Sequence, residues 1–137
     1  SDISAQVIAL ARENARESGG NDSVFSVRSI YDLDRNVDQA DLIVCCEVLE
    51  HLEDPDRALK VLASLVHDFL LISVPREPIW CALNVLRGKY LRRLGNTPGH
   101  VQHWSKNSFV SQVEQYFDIV EVRTPLPWTV ILCRKRC

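Results

Sequence analysis

The sequence predicts an α/β fold, in which a sheet has helices on both faces and ends in an antiparallel hairpin. Two short apolar runs, 41–46 and 69–74, are typical of strands buried on both faces of a parallel sheet. A helix that begins at Asp54 and Pro55 separates the two runs. Near the C-terminus, residues 124–127 provide a turn between two further strands, which favours a hairpin.

Five strands are predicted in all, and each is a short run of apolar, β-branched or aromatic residues. They lie near residues 24–28, 41–46, 69–74, 117–123 and 128–134, and the last is expected to be antiparallel to its neighbours. Further helices are predicted after caps at Ser4 and Ser105. Between the third strand and the last helix, residues 76–104 interrupt the alternation. This segment has room for a helix from Ile79 to Leu94 and a loop from Gly95 to Gly99.

The composition is that of one soluble globular domain. The chain has 137 residues, of which 46% are hydrophobic and 25% charged, enough to form one core. No apolar run approaches the ~20 residues of a membrane span, and no secretory leader is visible, so no membrane partner is expected. The five cysteines show neither a disulfide framework nor metal-ligand spacing, which favours a reducing cytoplasm.

Charge is unevenly distributed along the chain, although the net charge is only −2. Residues 1–56 hold thirteen acidic and four basic side chains, whereas residues 76–104 hold five basic side chains and one acidic side chain. The basic stretch is either a solvated surface helix or a contact for an anionic substrate or nucleic acid. Composition alone leaves both interpretations open.

Three short motifs occur in the same order as in a known enzyme family. Residues 46–55 read CEVLEHLEDP, residues 73–75 read SVP, and residues 99–105 read GHVQHWS. They resemble three segments of class I S-adenosylmethionine-dependent methyltransferases of the type 11 group, which includes quinone-biosynthesis enzymes. Those segments are E-V-L-E-H-L-x-D-P, S-[VT]-P and G-H-x-x-H-[FW]-[ST]. The resemblance implies a Rossmann-like methyltransferase fold over residues 1–137, with S-adenosylmethionine as the cofactor.

The resemblance also implies where the cofactor binds. Asp2 takes the position of the family's carboxylate that accepts from both ribose hydroxyls. An alternative role for Asp2 is to cap the first helix. The family has an acid for the adenine amino group where this chain has Ser29, while Glu47 lies where the family lines the methionine part of the cofactor. The implied cofactor-binding residues are Asp2, Ile3, Ser29, Ile30, Cys46 and Glu47.

The family's first strand, its glycine-rich loop, the next helix and most of strand two would precede Asp2, where the sequence has no such segments. Glycines there let the backbone approach the cofactor, whose carboxylate the following helix N-terminus favours. We therefore expect a sheet without its N-terminal strands, and weak or no cofactor binding and activity by the chain alone. A partial chain, strands supplied from elsewhere and a rearranged sheet are the alternatives. Exposed sheet edges would permit a dimer.

Methyl transfer from a sulfonium demands little acid–base chemistry, because the methyl group is already activated. The protein aligns the acceptor and removes a proton from its oxygen or nitrogen. The candidate catalytic bases are His51, His100 and His103, since an imidazole titrates near neutral pH. A structural role is the alternative for His51. The acceptor is expected to be a small molecule, with nucleic acid as the less favoured partner.

A second set of residues resembles the metal-binding residues of small-RNA 2′-O-methyltransferases, in which a histidine lies four residues before a tryptophan. The set comprises Glu47, Glu50, His51 and His100, the last four residues before Trp104. Two carboxylates and two imidazoles would suit Mg²⁺ or Mn²⁺, which can activate a ribose hydroxyl. The same motif residues occur in metal-free members, so no metal ligand is assigned. A metal-dependent RNA 2′-O-methyltransferase and a non-catalytic remnant of the fold are the two alternative functions.

Residues 76–104 are predicted to form a lid over the acceptor site, next to Glu47 and His51, because loops on an α/β scaffold usually carry recognition. The segment supplies aromatic and hydrogen-bonding side chains: Trp80, Asn84, Tyr90, His100, His103 and Trp104. A small surface helix with its own core is the competing interpretation, with Trp80, Leu83, Leu86 and Trp104 as that core. The lid predicts that His51 shares a cleft with at least one of the two later histidines.

Overall fold

The structure, a computed structural model, describes residues 1–91, 94 and 97–136. Parts of the basic stretch and of the predicted loop, together with the last cysteine, lie outside the described residues: Arg92, Arg93, Gly95, Asn96 and Cys137. The chain divides into two compact units, Ser1–Asp38 and Gln39–Cys137.

The first unit is built around helix α1, Ala5–Glu17. Ser4 caps this helix as predicted, because its side chain accepts a hydrogen bond from a backbone N–H in the first turn. Two short 3₁₀ helices follow, at Asp22–Val24 and Ile30–Asp32. The second of these begins directly after Ser29, one of the residues implied to bind the cofactor.

The strand predicted at 24–28 is wrong, because the segment pairs with the backbone of Asp2 only and forms no ladder: Asp2 donates to the carbonyl of Ser26, and Arg28 donates to the carbonyl of Asp2. The Arg12 guanidinium donates two hydrogen bonds to the carbonyl of Phe25, at 3.2 and 2.6 Å. A single parallel bridge joins Val27 to Asp2. One bridge does not make a strand, since a ladder needs a continuous run of inter-strand hydrogen bonds.

A four-stranded sheet organises the second unit, in the order β1-β2-β4-β3. The strands are β1 (Ala40–Cys46), β2 (Val66–Pro75), β3 (Phe117–Arg123) and β4 (Trp128–Lys135). β1 and β2 are parallel, and β4 is antiparallel to both β2 and β3. These four strands confirm the predicted Rossmann-like α/β sheet with its antiparallel C-terminal hairpin.

The register of the sheet brings three strand ends together. Cys46 at the end of β1 lies opposite Ser73 of β2. Pro75 at the end of β2 lies opposite Trp128, the first residue of β4. The residues that follow β1 therefore come next to the end of β2 and the start of β4, at the edge where open α/β sheets bind ligands.

In the described part of this unit, three α-helices accompany the sheet: α2 (Pro55–Leu65), α3 (Ile79–Leu86) and α4 (Lys106–Val113). Asp54 and Ser105 cap α2 and α4 as predicted, each by accepting a backbone N–H of the first turn. The sequence predicted that this third helix would extend to Leu94, but α3 ends at Leu86. Gly88 has a left-handed φ of 68° and its N–H donates to the carbonyl of Val85, which is a common way for a helix to end.

The core of the second unit consists of side chains from α2 and α4 and alternate residues of β2 and β4. Its members include Ala58, Leu59, Leu62, Leu65, Leu70, Ile72, Val74, Phe109, Val113, Ile131 and Cys133. Strand β1 differs from the prediction of burial on both faces, because Leu42 and Val44 are 54% and 60% exposed. β1 is an edge strand, paired with β2 alone among the described strands. No helix in the described part of the chain is long and apolar enough to cross a membrane.

Candidate functional site

The turn that follows β1 combines strained backbone with buried side chains. Glu47 has a left-handed φ of 56°, which is rare for a residue with a side chain. A 3₁₀ helix then runs over Leu49–His51, in which Leu49 is fully buried and Glu50 is 2% exposed. Such backbone strain persists only where the surroundings over-determine the conformation, and it is common at functional sites.

Hydrogen bonds from two other strands hold Glu47 in this conformation. Its backbone N–H donates to the carbonyl of Ser73, at 3.2 Å. The Ser73 hydroxyl donates to Oε1 of Glu47 at 2.8 Å, and the Trp128 indole N–H donates to Oε2 at 2.9 Å. Each carboxylate oxygen therefore has a neutral donor, and Glu47 joins the ends of three strands.

Glu50 is a buried carboxyl group in the same turn. Burial, followed by the neighbouring negative charge of Glu47, raises the pKa of Glu50 to about 7. Its Oε2 has no hydrogen-bond partner among the described residues. A buried oxygen without a partner can serve as an acceptor for a proton, a water or a cation.

His51 and His100 are in direct contact. Their ring centroids lie 5.0 Å apart in an edge-to-face arrangement. Nδ1 of His51 lies 3.0 Å from the carbonyl oxygen of Gly99. A carbonyl only accepts, so this hydrogen bond places the proton on Nδ1 and leaves Nε2 of a neutral ring as an acceptor. Burial, followed by the charges of His51 and His103, lowers the pKa of His100.

The segment 97–104 is attached to the turn by its backbone. The N–H groups of Val101 and Gln102 both donate to the carbonyl of Glu50, at 2.8 and 3.0 Å. The Gln102 side chain donates to the carbonyl of Leu52 at 3.1 Å. These bonds explain why His100, far away in sequence, lies against His51.

Aromatic rings extend the site towards β4. Trp80 of α3 is stacked on His100, with ring centroids 6.1 Å apart, and its centroid lies 6.2 Å from that of Trp128. The Trp80 indole N–H donates to the hydroxyl of Thr97 at 2.9 Å. Trp104 differs from these rings, because it is only 7% exposed and packs on Phe109.

The third candidate base has a different partner. Nδ1 of His103 lies 3.5 Å from Oε1 of Glu77, which follows β2. The structure thus brings His51 and His100 into contact and pairs His103 with a carboxylate that sequence reasoning missed. Trp128 was also missed, although its position at the start of the last strand, beside the end of β2, could have indicated it.

Among the residues that the structure describes, a group of three ionisable side chains could hold a metal ion. Glu50, His51 and His100 each offer a ligand atom, and these atoms all lie within 4.8 Å of one another. Glu47 is not a member of this group; its two carboxylate oxygens accept hydrogen bonds from Ser73 and Trp128. The four-residue set suggested by the sequence is thereby reduced to one carboxylate and two imidazoles.

The first unit holds the other residues implied to bind the cofactor. Oδ1 of Asp2 accepts from the backbone N–H of Ser4 at 2.6 Å, while the side chain of Ser4 caps α1. The Ser29 hydroxyl accepts from the N–H of Tyr31 at 3.3 Å and retains its own proton for donation. Ile3 is 76% exposed, and Ile30 is partly buried. Oδ2 of Asp2 and the Ser29 hydroxyl fit the hydroxyl and amino groups of an adenosine.

Comparison with known proteins identifies related sequences. A family model described as "Methyltransferase domain" matches residues 1–68. An uncharacterized protein of Synechococcus sp. is 40% identical over 85 residues, which cover 57% of this chain and 20% of that protein. The ubiquinone biosynthesis O-methyltransferase of Xanthomonas axonopodis pv. citri is 32% identical over 99 residues, 68% of this chain and 40% of the relative. The chain thus spans well under half the length of these curated relatives.

Solved structures share the fold at low sequence identity. Magnesium protoporphyrin IX methyltransferase from Synechocystis, solved with bound S-adenosylmethionine, has 17% identity and a TM-score of 0.66. The match covers 98% of this chain and 57% of that one. The small RNA methyltransferase HEN1 has 18% identity and a TM-score of 0.61, over 80% of this chain and 16% of that one.

Proposed function

The chain belongs to the class I S-adenosylmethionine-dependent methyltransferase family, and we propose that it transfers a methyl group from S-adenosylmethionine to a small-molecule acceptor. The observation that carries the proposal is the contact between His51 and His100 on the turn that ends β1. Ligands bind at this edge of open α/β sheets, and a pair of imidazoles there can take a proton from the acceptor.

The residues divide into a cofactor side and an acceptor side. Within the first unit, Asp2, Ile3, Ser29 and Ile30 are the residues proposed to contact an adenosine. Within the second unit, Cys46 and Glu47 are those proposed to line a methionine part. S-adenosylmethionine supplies an activated methyl group when it is bound. Nε2 of His51, left open by the bond from Nδ1 to Gly99, is the atom placed to accept the acceptor's proton. The lowered pKa of His100 keeps that ring neutral and able to accept a proton near pH 7.

We further propose that residues 76–104 cover the acceptor. Two observations support this lid: the bonds from Val101 and Gln102 to the turn, and the stack of Trp80 on His100. The competing interpretation, a helix with its own core, is weakened because Leu86 is 82% exposed. The burial of Trp104 against Phe109 still supports that interpretation.

Calorimetric titration of the protein with S-adenosylmethionine tests the cofactor assignment. We expect weak or no binding by residues 1–137 alone, and binding by a longer protein that includes the family's glycine-rich loop. In that longer protein we expect Asp2→Ala to weaken binding by about tenfold, because two ribose hydroxyls lose their acceptor. Glu13→Ala, on the exposed surface of α1, is the matched control and should leave the affinity unchanged. Failure of the longer protein to bind the cofactor would instead favour the non-catalytic remnant.

Transfer of a labelled methyl group to a panel of phenols, catechols and amines tests the reaction. For any acceptor found, we expect His51→Ala and His100→Ala to lower kcat by about 10² or more, as loss of a general base does. His103→Ala should have a smaller effect, since its partner is Glu77. Equal effects of all three substitutions would contradict the assignment of His51 and His100.

A second candidate function is metal-dependent methylation of an RNA 2′-hydroxyl. Its support is the group formed by Glu50, His51 and His100 and the unpartnered oxygen of Glu50. The carbonyl of Gly99 orients His51 through Nδ1, which is how metal-binding histidines are commonly held. One carboxylate and two imidazoles suit Mn²⁺, Fe²⁺ or similar ions.

Manganese titration followed by electron paramagnetic resonance tests this candidate. Under the metal hypothesis, Mn²⁺ binds the wild type, while Glu50→Gln and His100→Ala abolish binding. Glu53→Gln, an exposed neighbour of the turn, serves as the control. A small RNA whose 3′-terminal ribose becomes methylated only with metal would support the RNA activity. Free Mn²⁺ that stays unbound at millimolar concentration would eliminate this candidate.

We also propose a cellular location and an oligomeric state. A cytoplasmic location is supported by the four described cysteines, all of which are free thiols. A dimer through the sheet edge is supported by the exposed Leu42 and Val44 of β1. Sedimentation of the protein at several concentrations would measure the second of these.

A further inference from the structure

The carboxylate of Glu47 is a fixed negative charge at the meeting point of three strand ends. The residue directly follows β1, its neighbour Cys46 lies opposite Ser73, and Trp128 lies opposite the last residue of β2. Glu47 is exposed at this edge, so a ligand can reach it. Ligands of open α/β sheets bind in this position.

Three hydrogen bonds fix the position of that carboxylate. The carboxylate accepts two of them, from the Ser73 hydroxyl and from the Trp128 indole N–H. The third holds the backbone, since the N–H of Glu47 donates to the carbonyl of Ser73. The left-handed φ of 56° at Glu47 is maintained by the same contacts. A group held in this way loses little further freedom when a ligand binds.

The charge of Glu47 has no cationic partner in the described part of the chain. Both side-chain donors are neutral, and none of the ion pairs between described residues includes Glu47. Neutral donors orient a carboxylate and leave its net charge in place. The site therefore attracts a cation that comes within a few ångströms of the carboxylate.

We propose that Glu47, positioned by Ser73 and Trp128, selects the charge of the ligand: it favours the cationic sulfonium cofactor over its neutral thioether product. The inference rests on the proposed function, which places the methionine part of the cofactor beside Glu47. In the transfer, the S–CH₃ electron pair stays on sulfur, so the sulfonium becomes a neutral thioether. The acceptor gains the methyl group and gives up its proton. The product thereby loses the attraction to Glu47, which favours its release.

Calorimetry with three ligands, on a protein that includes the family's glycine-rich loop, tests this selection. S-adenosylmethionine carries a sulfonium, sinefungin carries an amine in place of the methylated sulfur, and S-adenosylhomocysteine is neutral at that atom. We expect Glu47→Gln to weaken the two cationic ligands by about fivefold, the scale of an ion pair that is partly open to water. The affinity for S-adenosylhomocysteine should stay within about 1.5-fold of the wild-type value.

Two further variants separate charge selection from a structural role. Trp128→Phe keeps an aromatic ring but removes the N–H, and we expect it to weaken the cationic ligands alone, by about threefold. Trp104→Phe removes an equivalent indole hydrogen bond, to Gln112, and should leave the ratio of affinities unchanged. Because Trp128→Phe leaves Glu47 itself in place, it carries the test even where Glu47→Gln fails to fold.

Each outcome has a distinct meaning. Loss of affinity confined to the cationic ligands supports the proposal. Equal loss for all three ligands in Glu47→Gln and Trp128→Phe overturns it and leaves methyl transfer intact, because Glu47 would then only shape the turn. A wild-type protein that includes the glycine-rich loop and still binds none of the three ligands overturns the proposed function together with this inference.

Discussion

The β1 turn, residues 47–52, and helix α3 each follow a strand of the same sheet, yet different forces hold them. The turn buries Leu49 and Glu50 and forms hydrogen bonds with β2, β4 and the segment 97–104. In α3 the buried residue is the polar Asn84, whereas Leu86 is 82% exposed. A turn that places reactive groups is thus fixed by the core, while a helix that would cover a ligand keeps its apolar surface available.

The largest expected difference between the two regions is in stability. Leu49→Ala should lower the free energy of unfolding by about 3 kcal/mol, because it leaves a cavity under the turn. Leu86→Ala makes the same chemical change at an exposed site and should alter the value by less than about 0.5 kcal/mol. Urea denaturation of both variants measures this contrast. Equal losses would mean that α3 is as firmly packed as the turn.

The free energy of unfolding should depend on pH through the buried carboxyl group of Glu50. The pKa of Glu50 is raised from 4.5 to about 7 in the folded protein. Between these values the folded protein keeps a proton that the unfolded chain has lost, so stability falls as pH rises and levels off above about pH 7. Glu50→Gln has no proton to lose, and should exceed the wild type in stability at pH 8 by up to about 3 kcal/mol.

Denaturation at pH 4.5 and at pH 8, in the presence of a chelator, checks this sign. The two proteins should have similar stability at the lower pH, where Glu50 is neutral in the folded state. Glu53→Gln, at an exposed position of the same segment, should show no such pH-dependent gain. A Glu50→Gln variant that is less stable than the wild type at pH 8 would show that the carboxylate has a compensating partner.

The smallest expected effect concerns the attachment of α3. The Thr97 hydroxyl accepts from the indole of Trp80 at 2.9 Å and from the amide of Asn84 at 3.2 Å. Thr97→Val removes this acceptor at nearly constant volume and should cost about 1 kcal/mol. Hydrogen exchange in α3 should become faster, while exchange in the β1 turn stays the same. Thr97→Ser retains the hydroxyl and should behave as the wild type does.

Local patterns in the sequence determined most of the fold. The apolar runs at 41–46 and 69–74, the cap at Asp54 with Pro55, and the turn at 124–127 each act within a few residues. All four elements form in the structure, although β1 is not buried on both faces. The strand expected at 24–28 did not form, although its residue pattern is typical of a strand, because a single bridge to Asp2 is all the pairing it has. A strand depends on a neighbour, which local sequence does not specify.

The sequence also brought Glu47, Glu50, His51 and His100 to attention, but it could not divide their roles. Only the tertiary structure showed that Glu47 accepts hydrogen bonds from donors 26 and 81 residues away, whereas the other three residues each offer a ligand atom to one cluster. Likewise, His51 meets the carbonyl of Gly99 across 48 residues. The physical reason is that hydrogen bonds, burial and charge act through space. A motif fixes which side chains are present, and the packing of distant strands and loops decides which atoms they meet.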